Sequence, residues 1–264
     1  MEKLNVFGLN VSNFNLNEIN DLYADTISKE KQIILFGHSL GYITLFKLFP
    51  SLYPVINSFD VLVCDGTQFN WYCYLNGFKL KTVISIPDIT NYTLEYANKN
   101  KLSVLLFGAK EEINKKASFN LQNKYPNAKI LTGINGYFKE NEELIVVEKI
   151  NELKPNILLV GISTPIKEFF VYKYKDKLNS NIIIPCGGMI DVYSGYTKQS
   201  PDWVKKLGLA TPFRIIQEPK RLLLLHTWMV FEILFKIVPI TILNKIKYSS
   251  NNFNIVFKYL NKQN

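Results

Sequence analysis

Residues 33–42 read Ile33-Ile34-Leu35-Phe36-Gly37-His38-Ser39-Leu40-Gly41-Tyr42, an apolar run that leads into Gly-His-Ser-Leu-Gly. Two folds compete for this stretch. As the G-x-S-x-G elbow of an α/β-hydrolase, it would expose Ser39 on a strained strand-to-helix turn and require an acidic residue and then a histidine further along. The chain holds only two histidines, His38 inside the motif and His226 within the apolar "RLLLLHTWMVF". The elbow also leaves room for about one strand before it, fewer than that fold places there. As an ordinary strand, turn and helix, the same residues would be one unit of an open sheet. The rest of the sequence favours this second reading.

Further apolar, β-rich runs follow at "VLVCDG" (61–66), "SVLLFGA" (103–109), "AKILTGING" (128–136), "NILLVGIS" (156–163) and "NIIIPCGG" (181–188). Segments such as "ITLFKLFPSLYPVINS" and "EEINKKASFNLQNKYP" lie between them, with helical spacing and polar faces. Strand, glycine turn and helix in repetition predict a Rossmann-like α/β fold: an open, mostly parallel sheet with helices on both faces. Ligands of such sheets bind at the carboxyl ends of the strands. Here those ends read Gly37, Asp65-Gly66, Gly108, Gly136, Gly161 and Gly187-Gly188. The alternation is complete near residue 203, which predicts an α/β domain over 1–203 and a C-terminal appendage over 204–264, of which residues 222–264 could be removed without unfolding the domain.

The 264 residues are 47% hydrophobic, enough for a packed core and incompatible with a disordered chain. Cys64, Cys73 and Cys186 show neither CxxC nor Cys/His ligand spacing, and no charged-then-apolar leader opens the sequence. The expectation is a cytosolic protein with reduced thiols. The net charge of +9 is concentrated in the appendage, where residues 204–264 hold 10 Lys+Arg against 2 Asp+Glu. The same segment contains "RLLLLHTWMVFEILFKIVPITIL" (221–243), too apolar for a nucleic-acid arm. An anionic membrane surface suits both features, with lysines toward acidic lipid and the apolar side in the interface. As a helix, residues 222–243 would reach about 33 Å, long enough to span. Glu232 and Lys236 near its middle, and Pro239 after them, favour a helix lying in the interface; a core helix packed on the domain is the third reading.

Three strand ends carry candidate chemistry. Asp65 follows a buried run and precedes a glycine, so it either projects into the crevice above the sheet or caps a helix. Gly136, with Tyr137 and Phe138 beside it, either lets the backbone approach a ligand or makes a turn with core aromatics. Gly161, Ser163, Thr164 and Pro165 precede a helix whose first N–H groups could receive phosphate, with Lys167 and Glu168 in its first turn; a solvated helix start is the alternative. No Asp-x-Asp occurs, nor a P-loop, nor G-x-G-x-x-G. Neither a carboxylate pair holding metal-bound diphosphate nor a dinucleotide cofactor is expected.

Taken in order, these pieces resemble the WecG/TagA/CpsF glycosyltransferase family from about residue 5 to residue 221. "FDVLVCDG" is similar to the family's strand ending in Asp-Gly, "TGINGYF" to its Gly-Tyr-Phe turn, and "PNILLVGISTPIKEFF" to its Pro-Lys-Gln-Glu stretch. "CGGMIDVYSGYTKQSPDW" and "PFRIIQEPKR" resemble its late Gly-rich and Glu-Pro-x-Arg motifs. The resemblance implies an inverting, metal-independent hexosyltransferase, N-acetylmannosaminyltransferase-like. It would move a sugar from a UDP-sugar to a polyprenyl-diphosphate-linked sugar during bacterial teichoic acid or capsule synthesis, as a peripheral protein on the inner face of the cell membrane. It implies Asp65 as general base, and Ser39, Gly136, Tyr137, Gly161, Lys167, Glu168, Arg214 and Arg221 around the substrates. The two arginines, the helix start after Gly161 and Lys167 would balance the leaving diphosphate. The resemblance places the family's Thr-Pro-Asn turn on Gly37-His38-Ser39, which implies that Ser39 is a pocket or structural residue and not a nucleophile.

Several positions depart from the pattern. Its threonine is Gly37, an arginine near Val83 is missing, its glutamine is Lys167, an arginine is Gln199, and a late arginine is Leu224. A donor other than N-acetylmannosamine is one consequence; an inactive relative that binds sugar nucleotide or lipid is the alternative function, and a Ser39 hydrolase the remaining one. Self-association is left open.

Overall fold

The computed structural model describes residues 1–248 apart from Phe7 and Val83, so the last part of the appendage, 249–264, lies outside it, as does the Val83 position. Eight strands form one sheet: β1 (Glu2–Val6), β2 (Leu9–Asn13), β3 (Ile33–His38), β4 (Val61–Cys64), β5 (Ser103–Gly108), β6 (Lys129–Ile130), β7 (Ile157–Gly161) and β8 (Ile182–Ile184). Their order is β1-β2-β4-β3-β8-β7-β5-β6. All pairings are parallel except the β1–β2 hairpin.

The strands alternate as the pleat requires, which is why the sheet has a core on each face. Ile34, Phe36, Leu62, Leu105, Phe107, Leu158, Val160 and Ile183 join one cluster. Ile33, Leu35, Val61, Val63, Leu106, Leu159, Ile182 and Ile184 join the other. The helices divide accordingly. α1 (Leu16–Ser28) and α5 (Ile86–Asn100) cover the second face, and both open on capping boxes, Asn15/Glu18 and Ser85/Asp88. α2 (Leu40–Leu48), α3 (Leu52–Asn57) and α4 (Thr67–Leu75) cover the first. The apolar stretch expected as helical over 43–58 is thus two helices, broken around Pro50. α6 (Glu111–Lys124), α7 (Glu143–Leu153), α8 (Ile166–Tyr174) and α9 (Met189–Ser194) complete the alternation.

Two expectations need correction. Where room for about one strand is expected ahead of the Gly-His-Ser-Leu-Gly turn, the β1–β2 hairpin also precedes β3; its strands are short, Asn-rich and without a long apolar run. The run 128–136 yields only the two residues of β6, plus an isolated parallel bridge between Phe107 and Ile134. Asn114 is the reason: its buried side-chain amide donates to the carbonyls of Leu106 (3.0 Å), Gly108 (2.8 Å) and Ile134 (3.2 Å), drawing the chain across the strand end.

The appendage packs on this unit. α10 (Asp202–Lys206) and α11 (Ala210–Gln217) lead into α12 (Pro219–Glu232), a π-helical turn over Ile233–Ile237, and α13 (Val238–Tyr248). The widened turn falls where Pro239 has no N–H to give to residue 235. Leu222, Met229 and Ile237 are buried, the last two within the core of the first face. Glu232 is buried between Lys236 (2.7 Å) and Lys47 of α2 (3.5 Å), and the Tyr72 hydroxyl bonds that of Thr241. One face of the helix therefore belongs to the core. The other shows Leu224, Phe231, Leu234, Phe235, Leu243 and Ile246 to solvent.

Candidate active site

The crevice follows from topology. β3 is followed by α2 on one face, while its neighbour β8 is followed by α9 on the other, so the chain diverges above adjacent strand ends. Asp65 stands one strand away, at the end of β4. Gly66 makes the exit possible, since its φ of 95° is a conformation that residues with a Cβ rarely adopt. Asp65 Oδ1 accepts from the Ile86 N–H at 3.0 Å, so the carboxylate sits at the start of α5, not on the helix that follows it in sequence. No partner for Oδ2 is found among the described residues. Burial raises the Asp65 pKa; the Ile86 N–H opposes this, Asp88 adds to it, and Arg214 and Lys167 draw it down.

Gly37 lies against the same carboxylate. A Cβ on it would stand 2.0 Å from Ile86 Cγ1 and 3.2 Å from Asp65 Cβ. The Ile86 side chain thus fills the space where the threonine implied by the resemblance would project.

Ser39 precedes α2 with φ −96° and ψ 162°, ordinary extended backbone with none of the strain of a nucleophile elbow. The His38 ring points into the core, parallel to Phe46 at 5.8 Å and edge-on to Phe69 at 5.0 Å. Neither of its nitrogens has a hydrogen-bond partner among the described residues, and burial holds its pKa down to about 3. A neutral ring turned away from Ser39 cannot serve it as base. Gly41 faces the Met229 sulfur, with its Cβ position 3.3 Å away, so the last glycine of the motif admits the C-terminal helix.

Lys167 and Glu168, both buried, meet in a polar network that engages Glu168 Oε1 and leaves Oε2 buried without a hydrogen-bond partner among the described residues. Glu168 Oε1 accepts from the Tyr42 hydroxyl (2.6 Å), from Thr164 Oγ1 (3.0 Å) and from the Lys167 ammonium. Lys167 also donates to the Tyr42 hydroxyl (3.0 Å) and to Thr164 Oγ1. An ammonium has three protons. All three are engaged within the protein, leaving Lys167 to act on a ligand by its field and not by direct donation. Burial and the neighbouring Glu168 push the Tyr42 pKa well up, so its hydroxyl stays protonated and can donate. Tyr42→Phe is expected to cost about 1–3 kcal/mol of unfolding free energy in urea titration, since it leaves a buried ion pair short of a partner. Tyr137→Phe, on an exposed ring, should cost nothing measurable.

The glycines at the other strand ends serve packing. Gly108 has φ 133°, and a Cβ there would stand 2.4 Å from the Gly161 backbone. At Gly136 the Cβ position is 2.6 Å from Gly108 Cα and from Ile162 Cγ2; at Gly161 it is 2.5 Å from Ile190 Cδ1. Protein already occupies the approach that a ligand would use there. The Gly136 N–H donates to Ala109 O at 2.9 Å. Tyr137 remains at the rim with an exposed ring. Arg214 reaches back from α11 over the end of β8, where a Cβ on Gly188 would stand 2.7 Å from its Nη2. Gly188 gives the guanidinium room there, although the end of so flexible a side chain can also shift. The backbone of Arg221 belongs to α12, and its side chain lies outside the described residues.

Asp65 after β4, Ser39 before α2, Lys167 and Glu168 of α8, and Arg214 of α11 thus come to one edge of the sheet. Tyr42 and Ile86 were missed in the sequence, because nothing in the spacing of 42 to 168, or of 37 to 86, marks them as neighbours.

An N-acetylglucosaminyldiphosphoundecaprenol N-acetyl-beta-D-mannosaminyltransferase of Bacillus subtilis (strain 168) is 29% identical over 169 residues, covering 64% of this chain and 65% of the relative. Proteins of the same name from Bacillus spizizenii and Staphylococcus aureus (strain MRSA252) are 27% and 28% identical over 172 residues, covering 65% and 64% of this chain. The matched stretch spans 66% and 65% of those two relatives. The sequence profile of the glycosyl transferase WecG/TagA/CpsF family matches residues 4–240, which takes in every crevice residue described above. The chain belongs to that family.

Proposed function

We propose that the protein transfers a hexose from a UDP-sugar to a sugar carried on a polyprenyl diphosphate, with inversion and without a metal ion, in bacterial cell-surface polysaccharide synthesis. The observation that carries this reading is Asp65: a carboxylate at a strand end, fixed through Oδ1 by the Ile86 N–H, with Oδ2 left for an acceptor hydroxyl. As general base it removes the hydroxyl proton while the oxygen attacks the anomeric carbon and UDP departs. Arg214 supports the leaving diphosphate, since a guanidinium fork matches its oxygens. Arg221 and Tyr137 are assigned to the same donor on the family pattern. The relatives' names supply the compounds to try first, an N-acetylmannosamine donor and an N-acetylglucosaminyl-diphosphoundecaprenol acceptor.

The exposed apolar side of the C-terminal helix, together with the basic appendage, supports peripheral residence on the inner membrane face. Leu222–Leu243 is long and apolar enough to cross a bilayer, yet its docking through Met229, Glu232 and Ile237 favours a helix on the surface.

A second reading, a binding protein without turnover, draws on Ile86 filling the Gly37 site and on Lys167 turned inward. Turnover of a panel of UDP-sugars with the lipid acceptor tests the first reading; donor binding with no turnover would favour the second. Transfer is expected to persist in excess EDTA. Among the described residues no group of three His, Cys, Asp or Glu side chains gathers to hold a metal, while Arg214 is at hand. Strict dependence on magnesium or manganese would overturn charge compensation by arginine.

A further inference from the structure

The rim of the crevice carries an exposed apolar cluster that catalysis does not use. Trp71 is 50% exposed, Trp203 64%, Leu207 58% and Leu209 45%. The cluster bridges α4 and the start of the appendage. Gly208 packs on the Trp71 indole, its Cβ position 3.5 Å from ring carbon Cζ3, and Gln68 Nε2 donates to Gly208 O at 2.9 Å. Leu207 and Leu209, the chain neighbours of Gly208, are exposed next to this contact. Trp203 lies one turn before Leu207, on the same side of α10. Two exposed indoles and two exposed leucines gathered at one corner are unusual for a surface that meets only water.

Its position is fixed relative to Asp65. Trp71 is one turn into α4, which begins directly after Asp65-Gly66. The Thr67 hydroxyl donates to Lys205 O at 2.7 Å, and the Lys205 ammonium pairs with Asp88 at 3.1 Å in the first turn of α5, the helix whose opening N–H holds Asp65. The cluster and the proposed base are thus parts of one rigid corner.

We propose that Trp71, Trp203, Leu207 and Leu209 form a lipid-contact surface of the catalytic unit, seated in the headgroup region of an anionic bilayer and distinct from the exposed face of the C-terminal helix. This rests on the reading of the acceptor as lipid-linked. A sugar that must reach Asp65 while its polyprenyl chain stays in the bilayer requires the crevice rim itself at the membrane. Indole suits that boundary, with a ring for the apolar side and an N–H for the wet side. The exposed Lys206 beside the cluster favours acidic lipid.

The chain's three tryptophans allow a direct test. Trp203→Phe/Trp228→Phe leaves Trp71 as the sole indole, and Trp71→Phe/Trp228→Phe leaves Trp203. With phosphatidylcholine vesicles containing about 30% phosphatidylglycerol, both emissions should shift to the blue, and brominated acyl chains should quench each by about two-fold or more. Trp203→Glu/Leu207→Glu, both on exposed positions, should lower the vesicle-bound fraction by about five-fold. Unshifted, unquenched indoles on a protein that still floats with vesicles would overturn the inference and leave the C-terminal helix as the lipid contact. So would capture of the cluster by a second protein copy with no response to lipid. Quenching without transfer from any donor would sustain the lipid surface and sink the proposed reaction. Transfer to a detergent-solubilised acceptor, with neither flotation nor quenching, would do the reverse.

Discussion

Asp65→Asn is expected to lower the transfer rate by about 10²–10⁴-fold, the usual contribution of a positioned general base, while UDP-sugar affinity changes by no more than a few-fold. The amide keeps its shape and can still accept the Ile86 N–H through its oxygen, so the turn into α5 should hold. What it loses is the ability to take a proton. The pH profile sharpens the test. Burial raises the Asp65 pKa above that of an unperturbed aspartate, so the acid limb should fall at a higher pH than an ordinary aspartate would give as the base becomes protonated. Stability moves the other way. The folded protein binds this proton more readily than the unfolded chain, so ionised Asp65 costs stability at neutral pH, and that cost is relieved as pH falls through the raised pKa. The neutral asparagine should accordingly melt at or above the parent temperature while turnover collapses. Near-native turnover would sink Asp65 as base and leave it a clamp on α5.

The contrast between Asp65 and Ser39 shows how far the sequence could be read. Parallel strands buried on both faces give continuous apolar runs, so β3, β4, β5, β7 and β8 announce themselves. Each ends near a glycine, and the carboxyl edge can be drawn before any coordinates exist. Residue roles at that edge were less legible, because one signal has two causes. A glycine at a strand end can admit a ligand or a neighbouring backbone, and at 108, 136 and 161 the neighbour is protein. A lysine in the first turn of a helix can face phosphate or a buried glutamate, and one of the partners of Lys167 is Tyr42, 125 residues earlier. The hairpin β1–β2 escaped because two five-residue strands at a sheet edge carry little periodic signal. Composition could locate basicity and apolarity in the appendage, but could not tell which side of its helix the core would claim.

Truncation after residue 221 is therefore expected to unfold the α/β unit, contrary to what the completed strand pattern suggests. It removes Leu222, Met229 and Ile237, each at least nine-tenths buried. At about 1.5–3 kcal/mol per buried apolar side chain, the loss is roughly 5–9 kcal/mol, comparable to the whole stability of many domains at about 5–15 kcal/mol. It also leaves Lys47 without Glu232, Tyr72 without the Thr241 hydroxyl, and the α2 surface around Gly41 open to water. Circular dichroism should show a broad, early transition or none. A cooperative melt within a few degrees of the full-length protein would show that the helix is an accessory after all. Membrane binding must then be separated from folding by a gentler change. Phe231, Leu234 and Phe235 are exposed on the side of the helix away from the core. Replacing all three with serine should leave the melting transition in place, because no core contact is lost. Flotation on acidic vesicles should weaken, because the apolar area offered to lipid falls while the lysines remain. Retained flotation, still sensitive to salt, would move the membrane contact off this helix face and onto the lysines and the tryptophan-bearing rim.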